Sequence, residues 1–214
     1  NRLTPQMFAA KCGLDVAQVG DGVTDNSDVI QEMFKEATEG TKIVFPKGTY
    51  IIHPFASYGY RKGDVEGHPS QDAWSNSKYG YGMGLFSKSG ITVEFEKGAI
   101  IKSALTYTNE SGVVQFKEHI LEGETSNIVE IQRVFKLHTG KECFGDLVSS
   151  TLFKIRECQN INVIGGEFIG DIPDFEVDST TGHPKGFAEE LHRNTTGVGV
   201  DKSSDITISG VNSH

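Results

Sequence analysis

The sequence predicts an all-β fold in which short strands form a coil that stacks on copies of itself. One spacing of apolar residues, at offsets 0, 2, 8 and 10, occurs three times. The three sets are Met83, Leu85, Ile91 and Val93; Phe153, Ile155, Ile161 and Val163; and Val198, Val200, Ile206 and Ile208. Period-2 alternation indicates a strand with one buried face, and strand, corner, strand in repetition is typical of stacked coils. Strands of a sandwich are the alternative, although a sandwich does not require equal offsets.

Polar corners separate the two strands within each copy. They read Ser87-Lys88-Ser89-Gly90, Glu157-Cys158-Gln159-Asn160 and Ser203-Ser204-Asp205. Such residues suit bends between strands, so we expect equivalent apolar residues to stack at about 4.7–4.9 Å per coil. The residues expected to point outward are Lys154, Arg156, Gly199 and Asp201. Lys154→Asp should therefore be tolerated, whereas Ile161→Asp should unfold the domain because it buries an unpaired charge.

A lead-in, a helix and two strands precede the first copy. Residues 1–20 are expected to be irregular and 21–26 to form a turn. The helical spacing i, i+3, i+4 and i+7 joins Ile30, Met33, Phe34 and Ala37. It predicts a helix over about residues 27–38 that starts at polar residues 25–28 and stops at Gly40. This helix should cover the apolar end of the stack. Strand, corner and strand are predicted over 43–52.

The intervals between the copies exceed one coil, so further segments must project from the stack. Met83 to Phe153 spans 70 residues, and Phe153 to Val198 spans 45. Residues 1–214 are expected to form one domain, with a projecting β-hairpin within 104–150 on either side of 122–127. The third copy ends without a capping element, which predicts a longer polypeptide or an end covered by another chain.

Composition argues against two classes of partner. The formal net charge is −9 and no cluster of Lys and Arg occurs, which disfavours nucleic acid and an anionic membrane surface. No apolar run approaches the ~18–20 residues that span a bilayer. Cys12, Cys143 and Cys158 are an odd number without a CxxC pattern, which predicts free thiols and no zinc site.

Two stretches resemble a known family. GDGVTDNS at 20–27, with IQ at 30–31 and VFPKGTY at 44–50, resembles the N-terminal signature of the pectate-lyase-like superfamily. LTPQMF at 3–8 is similar to the start of bacteriophage and prophage tailspikes. The resemblance implies a right-handed, single-stranded parallel β-helix with an N-terminal capping α-helix. It also implies carbohydrate: pectate and alginate lyases, galacturonases, other glycosidases, and tailspikes that bind or cut surface polysaccharide. Fold alone does not fix the chemistry, and the signature residues Asp21, Gly22, Asp25 and Gly48 are expected to be structural.

Ionisable residues that could act on a glycan are concentrated at 171–205. Hydrolysis needs two carboxyl groups about 5–5.5 Å apart for retention or about 6.5–9.5 Å apart for inversion. A lyase needs a base and a cation for the uronate carboxylate. The candidate catalytic residues are Asp171, Glu189, Glu190 and Asp201. The alternating Asp174, Glu176 and Asp178 could bind Ca²⁺, and no other cofactor is expected. A solvated acidic loop is the alternative.

Aromatic and cationic residues are the candidates for holding a sugar. Trp74, Tyr79 and Tyr81 lie in a loop rich in Gly and Ser just before the first copy. Aromatic faces pack against the CH surface of sugars while polar groups bond the hydroxyls. His192 and Arg193 follow the acidic candidates. The alternative is a loop that its own aromatic residues pin to the stack.

Three functions are therefore open. The favoured hypothesis is a tailspike-type depolymerase of cell-surface polysaccharide, homotrimeric and either extracellular or on a virion tail. A secreted bacterial polysaccharide lyase or hydrolase is the second. A non-catalytic structural or receptor-binding β-helix is the third. Oligomeric state separates the first two, and turnover separates both from the third.

Overall fold

The computed structural model describes residues 1–52, 55–56, 81–103, 106–108, 114–116, 119–120, 150–170 and 195–214. Their chain is mostly β, with one α-helix, α1 (Ser27–Glu36). In chain order the strands are β1 (Arg2–Leu3), β2 (Asp21–Asp25), β3 (Lys42–Phe45), β4 (Gly48–Ile52), β5 (Phe55–Ala56), β6 (Tyr81–Phe86), β7 (Ser89–Phe95), β8 (Ala99–Ser103), β9 (Thr106–Thr108), β10 (Val114–Phe116), β11 (His119–Ile120), β12 (Ser150–Arg156), β13 (Gln159–Ile164), β14 (Glu167–Ile169), β15 (Thr195–Asp201), β16 (Ser204–Ser209) and β17 (Asn212–Ser213). The lead-in, expected to be irregular, contains β1 and short 3₁₀ helices at Pro5–Phe8, Ala10–Cys12 and Val16–Gln18.

Three largely parallel sheets contain all of these strands except β9 and β10. Sheet A has the order β1-β3-β7-β13-β16, sheet B the order β2-β4-β8-β14-β17, and sheet C the order β11-β5-β6-β12-β15. From β6 onward, the chain passes repeatedly from sheet C to sheet A to sheet B. We call the three sets of strands rung 1 (β6, β7, β8), rung 2 (β12, β13, β14) and rung 3 (β15, β16, β17). This repeated order with parallel pairing is consistent with a parallel β-helix.

The predicted stacking of equivalent apolar residues is confirmed. In sheet C, Phe153 pairs with Met83 and Val198, and Ile155 pairs with Leu85 and Val200. In sheet A, Ile161 pairs with Ile91 and Ile206, and Val163 pairs with Val93 and Ile208. The rungs are therefore direct neighbours, and the long intervals in the sequence add no strand between them in sheets A and C. The eight members in rungs 1 and 2 are at most 1% exposed.

The corners between sheets C and A adopt the backbone that their sequences favour. Each contains two residues with positive φ, three positions apart: Ser87 and Gly90, Glu157 and Asn160, and Lys202 and Asp205. Left-handed backbone is common only for Gly, Asn and Asp, and the second position holds one of these in every rung. The corners therefore turn at the same place, which keeps the rungs in register.

Helix α1 covers the first coil with the face that its periodicity predicts. Ile30 and Met33 are fully buried, and the ring of Phe34 lies 6.4 Å from that of Phe45 and 5.7 Å from that of Phe153. The helix ends at Glu36, before the predicted stop at Gly40. Nζ of Lys88 donates to the carbonyls of Lys35 and Ala37 at 2.8 and 2.7 Å, and a cation stabilises the C-terminal carbonyls of a helix.

The signature segment forms a set of local hydrogen bonds, and its predicted turn includes strand β2. The carboxylate of Asp21 accepts from the N–H groups of Val23 and Thr24 at 2.8 and 2.7 Å. Asp25 accepts from the N–H and Oγ of Ser27 at 3.0 and 2.6 Å, which satisfies the first backbone N–H of α1. Asn26, fully buried, accepts from the N–H of Gly20 and donates to the carbonyl of Gln18. These bonds fix the path from the lead-in to the helix.

A side chain from α1 completes the edge of sheet C. The N–H of Gly84 donates to Oε1 of Gln31 at 3.2 Å, and Nε2 of Gln31 donates to the carbonyl of Gly84 at 3.1 Å. The amide thus makes the two bonds that a neighbouring strand would make. Since β5 pairs with β6 only at Phe55 and Tyr81, Gln31 satisfies an edge position that would otherwise be unpaired.

Candidate functional site

Asp201 is the candidate site residue whose side chain the structure describes. Tyr81 begins β6, and only its backbone is described. The candidates outside the described residues are Trp74, Tyr79, Asp171, Glu189, Glu190, His192 and Arg193, together with Asp174, Glu176 and Asp178 of the predicted Ca²⁺ site. The predicted hairpin around 122–127 also lies outside them; within 104–150, β9 and β10 form an antiparallel pair. Within the described residues, the candidate site therefore consists of Asp201 and its neighbours on sheet C.

Asp201 forms an ion pair with a buried arginine on the neighbouring strand. It lies at the end of β15, in register with Arg156 of β12. Nη1 of Arg156 donates to Oδ2 of Asp201 at 2.5 Å, and Nε donates to Oε1 of Glu157 at 3.3 Å. The Arg156 side chain is 7% exposed, whereas that of Asp201 is 30% exposed. The guanidinium of Arg156 is therefore buried, whereas the carboxylate of Asp201 remains partly accessible to solvent.

The backbone around Asp201 is fixed as well. Its carbonyl accepts from the N–H of Glu157 at 3.1 Å and from Oγ of Ser203 at 2.8 Å. Ser203 Oγ in turn accepts from the N–H of Cys158 at 3.0 Å. A guanidinium at this distance favours the ionised form of a carboxylate. The arrangement therefore suits Asp201 to act as a base, a nucleophile or an electrostatic stabiliser, since each of these roles needs the charged form.

Lys154 and Arg156 alternate with core residues as predicted, but both are buried, although they were expected to point outward. Lys154 is 7% exposed and Arg156 is 5% exposed. Burial lowers the pKa of Lys154; nearby Asp201 opposes this shift and nearby Arg156 adds to it. The charged groups that act on the Lys154 ammonium from the described strands are therefore Asp201 and Arg156. The outer face of sheet C is therefore a buried cationic surface at these two positions.

The positions beside Lys154 carry no side chain. It lies in register with Gly84 of β6 and Gly199 of β15. A Cβ at position 199 would lie 2.8 Å from Cγ2 of Thr151, a contact that side chains do not make. Glycine is therefore required there by space. We call Lys154, Arg156 and Asp201, with the flanking Gly84 and Gly199, the sheet C cluster.

Sequence reasoning placed Asp201 among the candidates but missed Lys154 and Arg156. The signal was present: two cations alternate with apolar residues in TLFKIR at 151–156. Equal offsets place Lys154 beside Gly84 and Gly199 and place Arg156 beside Asp201.

The long connections of the chain all lead into sheet C. Residues 57–80 precede β6, residues 121–149 precede β12, and residues 171–194 precede β15. The predicted aromatic and acidic candidates therefore belong to connections that lead into strands of one sheet, the sheet that carries the cluster.

Other classes of site find less support among the described residues. No group of three or more His, Cys, Asp or Glu is placed there to hold a metal ion. No helix in the same ranges is long and apolar enough to cross a membrane. Cys158 is buried and Cys12 half-buried, and both are free thiols. Burial raises the pKa of the Cys158 thiol, which makes it a poor nucleophile.

Comparisons with known proteins give only distant similarities. No protein family and no curated protein matches the chain. A crystal structure from Parabacteroides merdae ATCC 43184, described provisionally as a glycosyl hydrolase, aligns with 99% of this chain and 81% of its own length, at 15% identity and a TM-score of 0.34. A Family 28 exopolygalacturonase from Yersinia enterocolitica aligns over 100% of this chain and 40% of its own, at 11% identity and a TM-score of 0.37. These values are too low to assign an activity to this chain.

Proposed function

We propose that this chain belongs to a protein that binds and degrades a polysaccharide along the outer face of sheet C. The observation that supports this most is the sheet C cluster: a half-exposed carboxylate fixed by a buried arginine, beside a buried lysine. Burying charged groups is costly, and perturbed ionisable groups concentrate at functional sites. The resemblance of residues 20–27 and 44–50 to the pectate-lyase-like superfamily supports a carbohydrate as the ligand.

Asp201 is the proposed catalytic carboxylate. Its ion pair with Arg156 keeps it ionised, so it would act as the base or nucleophile rather than as the proton donor. A hydrolase then requires a second carboxyl group in its acid form. Asp171, Glu189 and Glu190 are the proposed sources, because the connection that contains them leads directly into the strand that carries Asp201. Trp74, Tyr79 and Tyr81 are proposed to stack on the sugar, with His192 and Arg193 as polar contacts.

The finer assignment is a tailspike-type depolymerase with a right-handed, single-stranded β-helix. The lead-in LTPQMF supports the tailspike relation, and the fixed order of sheets C, A and B supports the helix. On this proposal the protein is a homotrimer that is extracellular or part of a virion tail. Light scattering on the intact protein tests the trimer, and a monomer would favour a secreted enzyme instead.

The experiment compares Asp201→Asn with Asp205→Asn on a panel of bacterial capsular and pectic polysaccharides. Asn is nearly isosteric and can still accept from Arg156. Asp205 is exposed and lies in a corner whose left-handed backbone Asn tolerates, so its variant is a matched control. Reducing ends report hydrolysis, and unsaturated uronates report lyase chemistry.

Asp201→Asn should reduce turnover at least about a hundredfold, the usual contribution of a positioned acid or base, while Asp205→Asn leaves it unchanged. Melting temperatures of both variants separate a chemical loss from unfolding. Full activity in folded Asp201→Asn would remove Asp201 from the mechanism. Binding without turnover in the wild type would favour the non-catalytic receptor-binding alternative.

A further inference from the structure

Glu157 lies one residue beyond Arg156, in the corner of rung 2, and its contacts lead back to Asp201. We propose that Glu157 is a positioning residue for Asp201, because its carboxylate holds the Arg156 guanidinium in the orientation that bonds the Asp201 carboxylate. The catalytic role of Asp201 in this inference rests on the proposed function. The contacts themselves can be tested without a substrate.

Glu157 and Asp201 bond the same guanidinium. Oε1 of Glu157 accepts from Nε of Arg156 at 3.3 Å, and Oδ2 of Asp201 accepts from Nη1 at 2.5 Å. A guanidinium is planar, and its donors are fixed relative to one another. A bond at Nε therefore sets the direction of Nη1, so the Glu157 carboxylate limits the rotation of the group that bonds Asp201.

Glu157 also holds the backbone of Asp201. The N–H of Glu157 donates to the carbonyl of Asp201 at 3.1 Å. The main chain of Glu157 thus bonds the main chain of Asp201, and its side chain acts on the Asp201 carboxylate through Arg156. Two separate contacts of one residue therefore fix both ends of the proposed catalytic residue.

The fold does not require a carboxylate at this corner position. The equivalent residues of rungs 1 and 3 are Ser87 and Lys202, and φ is 52° at Ser87, 55° at Glu157 and 47° at Lys202. Three different side chains therefore adopt the same turn. The Glu157 side chain is 51% exposed, so it contributes little to the stability of the core. Its contact with the buried Arg156 is what distinguishes it.

The first test measures the Nε–H group of Arg156 by NMR in isotope-labelled protein. In the wild type this proton should exchange slowly with solvent, because it is buried and bonded. Glu157→Ala should speed the exchange at least about tenfold, since a bond to a charged group is lost. Glu157→Gln should keep most of the protection, because its amide oxygen can still accept from Nε. Glu167→Gln, at a 40% exposed carboxylate of sheet B, is the matched control and should leave the exchange unchanged.

The second test follows the carboxyl resonance of Asp201 in a pH titration. Glu157→Ala and Glu157→Gln remove the same charge, and both retain Lys154, which also interacts with Asp201. They differ in whether Nε of Arg156 keeps an acceptor. A well-placed arginine lowers the pKa of a neighbouring aspartate by about 1–3. The titration midpoint should therefore lie about 1 pH unit higher in Glu157→Ala than in Glu157→Gln.

Two results would overturn the proposal. Equal midpoints in Glu157→Ala and Glu157→Gln would mean that Glu157 acts on Asp201 through its charge alone. A wild-type Nε–H of Arg156 that exchanges as fast as that of an exposed arginine would mean that the guanidinium is not held. This second measurement needs no variant, so it also decides the case in which Glu157→Ala does not fold.

Turnover separates this inference from the proposed function. On a polysaccharide that the wild type cleaves, Glu157→Ala should lower kcat more than Glu157→Gln does and leave KM unchanged, because Asp201 is misaligned while the contacts to the sugar remain. Both NMR results without cleavage of any polysaccharide would overturn degradation and retain the role of Glu157. Cleavage that is lost in Asp201→Asn but complete in Glu157→Ala would do the reverse.

Discussion

Replacing Ile161 by alanine tests whether the rungs are held together by their stacked apolar residues. Ile161 is 1% exposed and pairs with Ile91 in rung 1 and Ile206 in rung 3. Alanine removes the branched part of the side chain and leaves a cavity between two fixed neighbours. Such substitutions cost about 2–5 kcal/mol, against a total of about 5–15 kcal/mol for a typical protein. At about 2–4 °C per kcal/mol for a chain of this size, the melting temperature should fall by roughly 4–20 °C.

Ile208→Ala is the matched control for this substitution. Ile208 lies in the same sheet, in register with Val163, but is 41% exposed. The same atoms removed from a half-exposed position should cost about 1 kcal/mol. Urea unfolding followed by far-ultraviolet circular dichroism gives both free energies and shows from the slope whether the transition changes. Equal losses in the two variants would refute the stacking argument, and a well-folded Ile161→Asp would refute it outright.

Three further predictions concern the signature and the sheet C cluster. Asn26→Ala removes two hydrogen bonds from a buried side chain and should cost about 1–3 kcal/mol; an unchanged thermal melt would contradict the role given to Asn26. Gly199→Val should destabilise the chain because the valine would clash with Thr151. In a double-mutant cycle, Thr151→Ala should recover part of that loss of stability. Additive losses in the double variant would contradict the predicted clash. Lys154→Met should stabilise the chain most at pH values below the lowered pKa of Lys154. That advantage should shrink as pH rises towards about 10.4, where lysine is neutral in both folded and unfolded chains; a pH-independent difference in unfolding free energy would contradict the burial argument.

The stacked architecture was predictable from sequence because its signal is local and repeated. The offsets that join Met83 to Val93 recur unchanged, so each rung specifies its own strands and corner. The positive-φ residues that end each corner, Gly90, Asn160 and Asp205, occupy equal positions in the three copies. The residues that favour each turn therefore lie where the register of the stacked rungs requires a turn.

The ion pair between Arg156 and Asp201 could also have been predicted, since each lies three residues after an equivalent apolar position, Phe153 and Val198. Equal offsets place them side by side once the rungs stack. The burial of Lys154 could not be predicted in this way. Alternation tells which face of the sheet a side chain is on, but not whether that face is covered.

The end of α1 is a second feature that could not be predicted from the local sequence. Its apolar spacing predicts helix to about residue 38, but the chain leaves the helix at Glu36. The residue that satisfies the final carbonyls is Lys88, which lies 51 residues beyond Ala37. Because Lys88 is so distant in sequence, no pattern of residues near the end of α1 indicates that it will bond these carbonyls.

The most direct test of the proposed function is a titration of isotope-labelled protein with oligosaccharides from the capsular and pectic panel, monitored through backbone amide resonances. If the sugar lies along the outer face of sheet C, the largest shifts should occur at Gly84, Lys154 and Gly199, which lie side by side on that sheet. Shifts confined to the outer positions of sheet A, at Thr92, Asn162 and Thr207, would contradict it and place the ligand on another face.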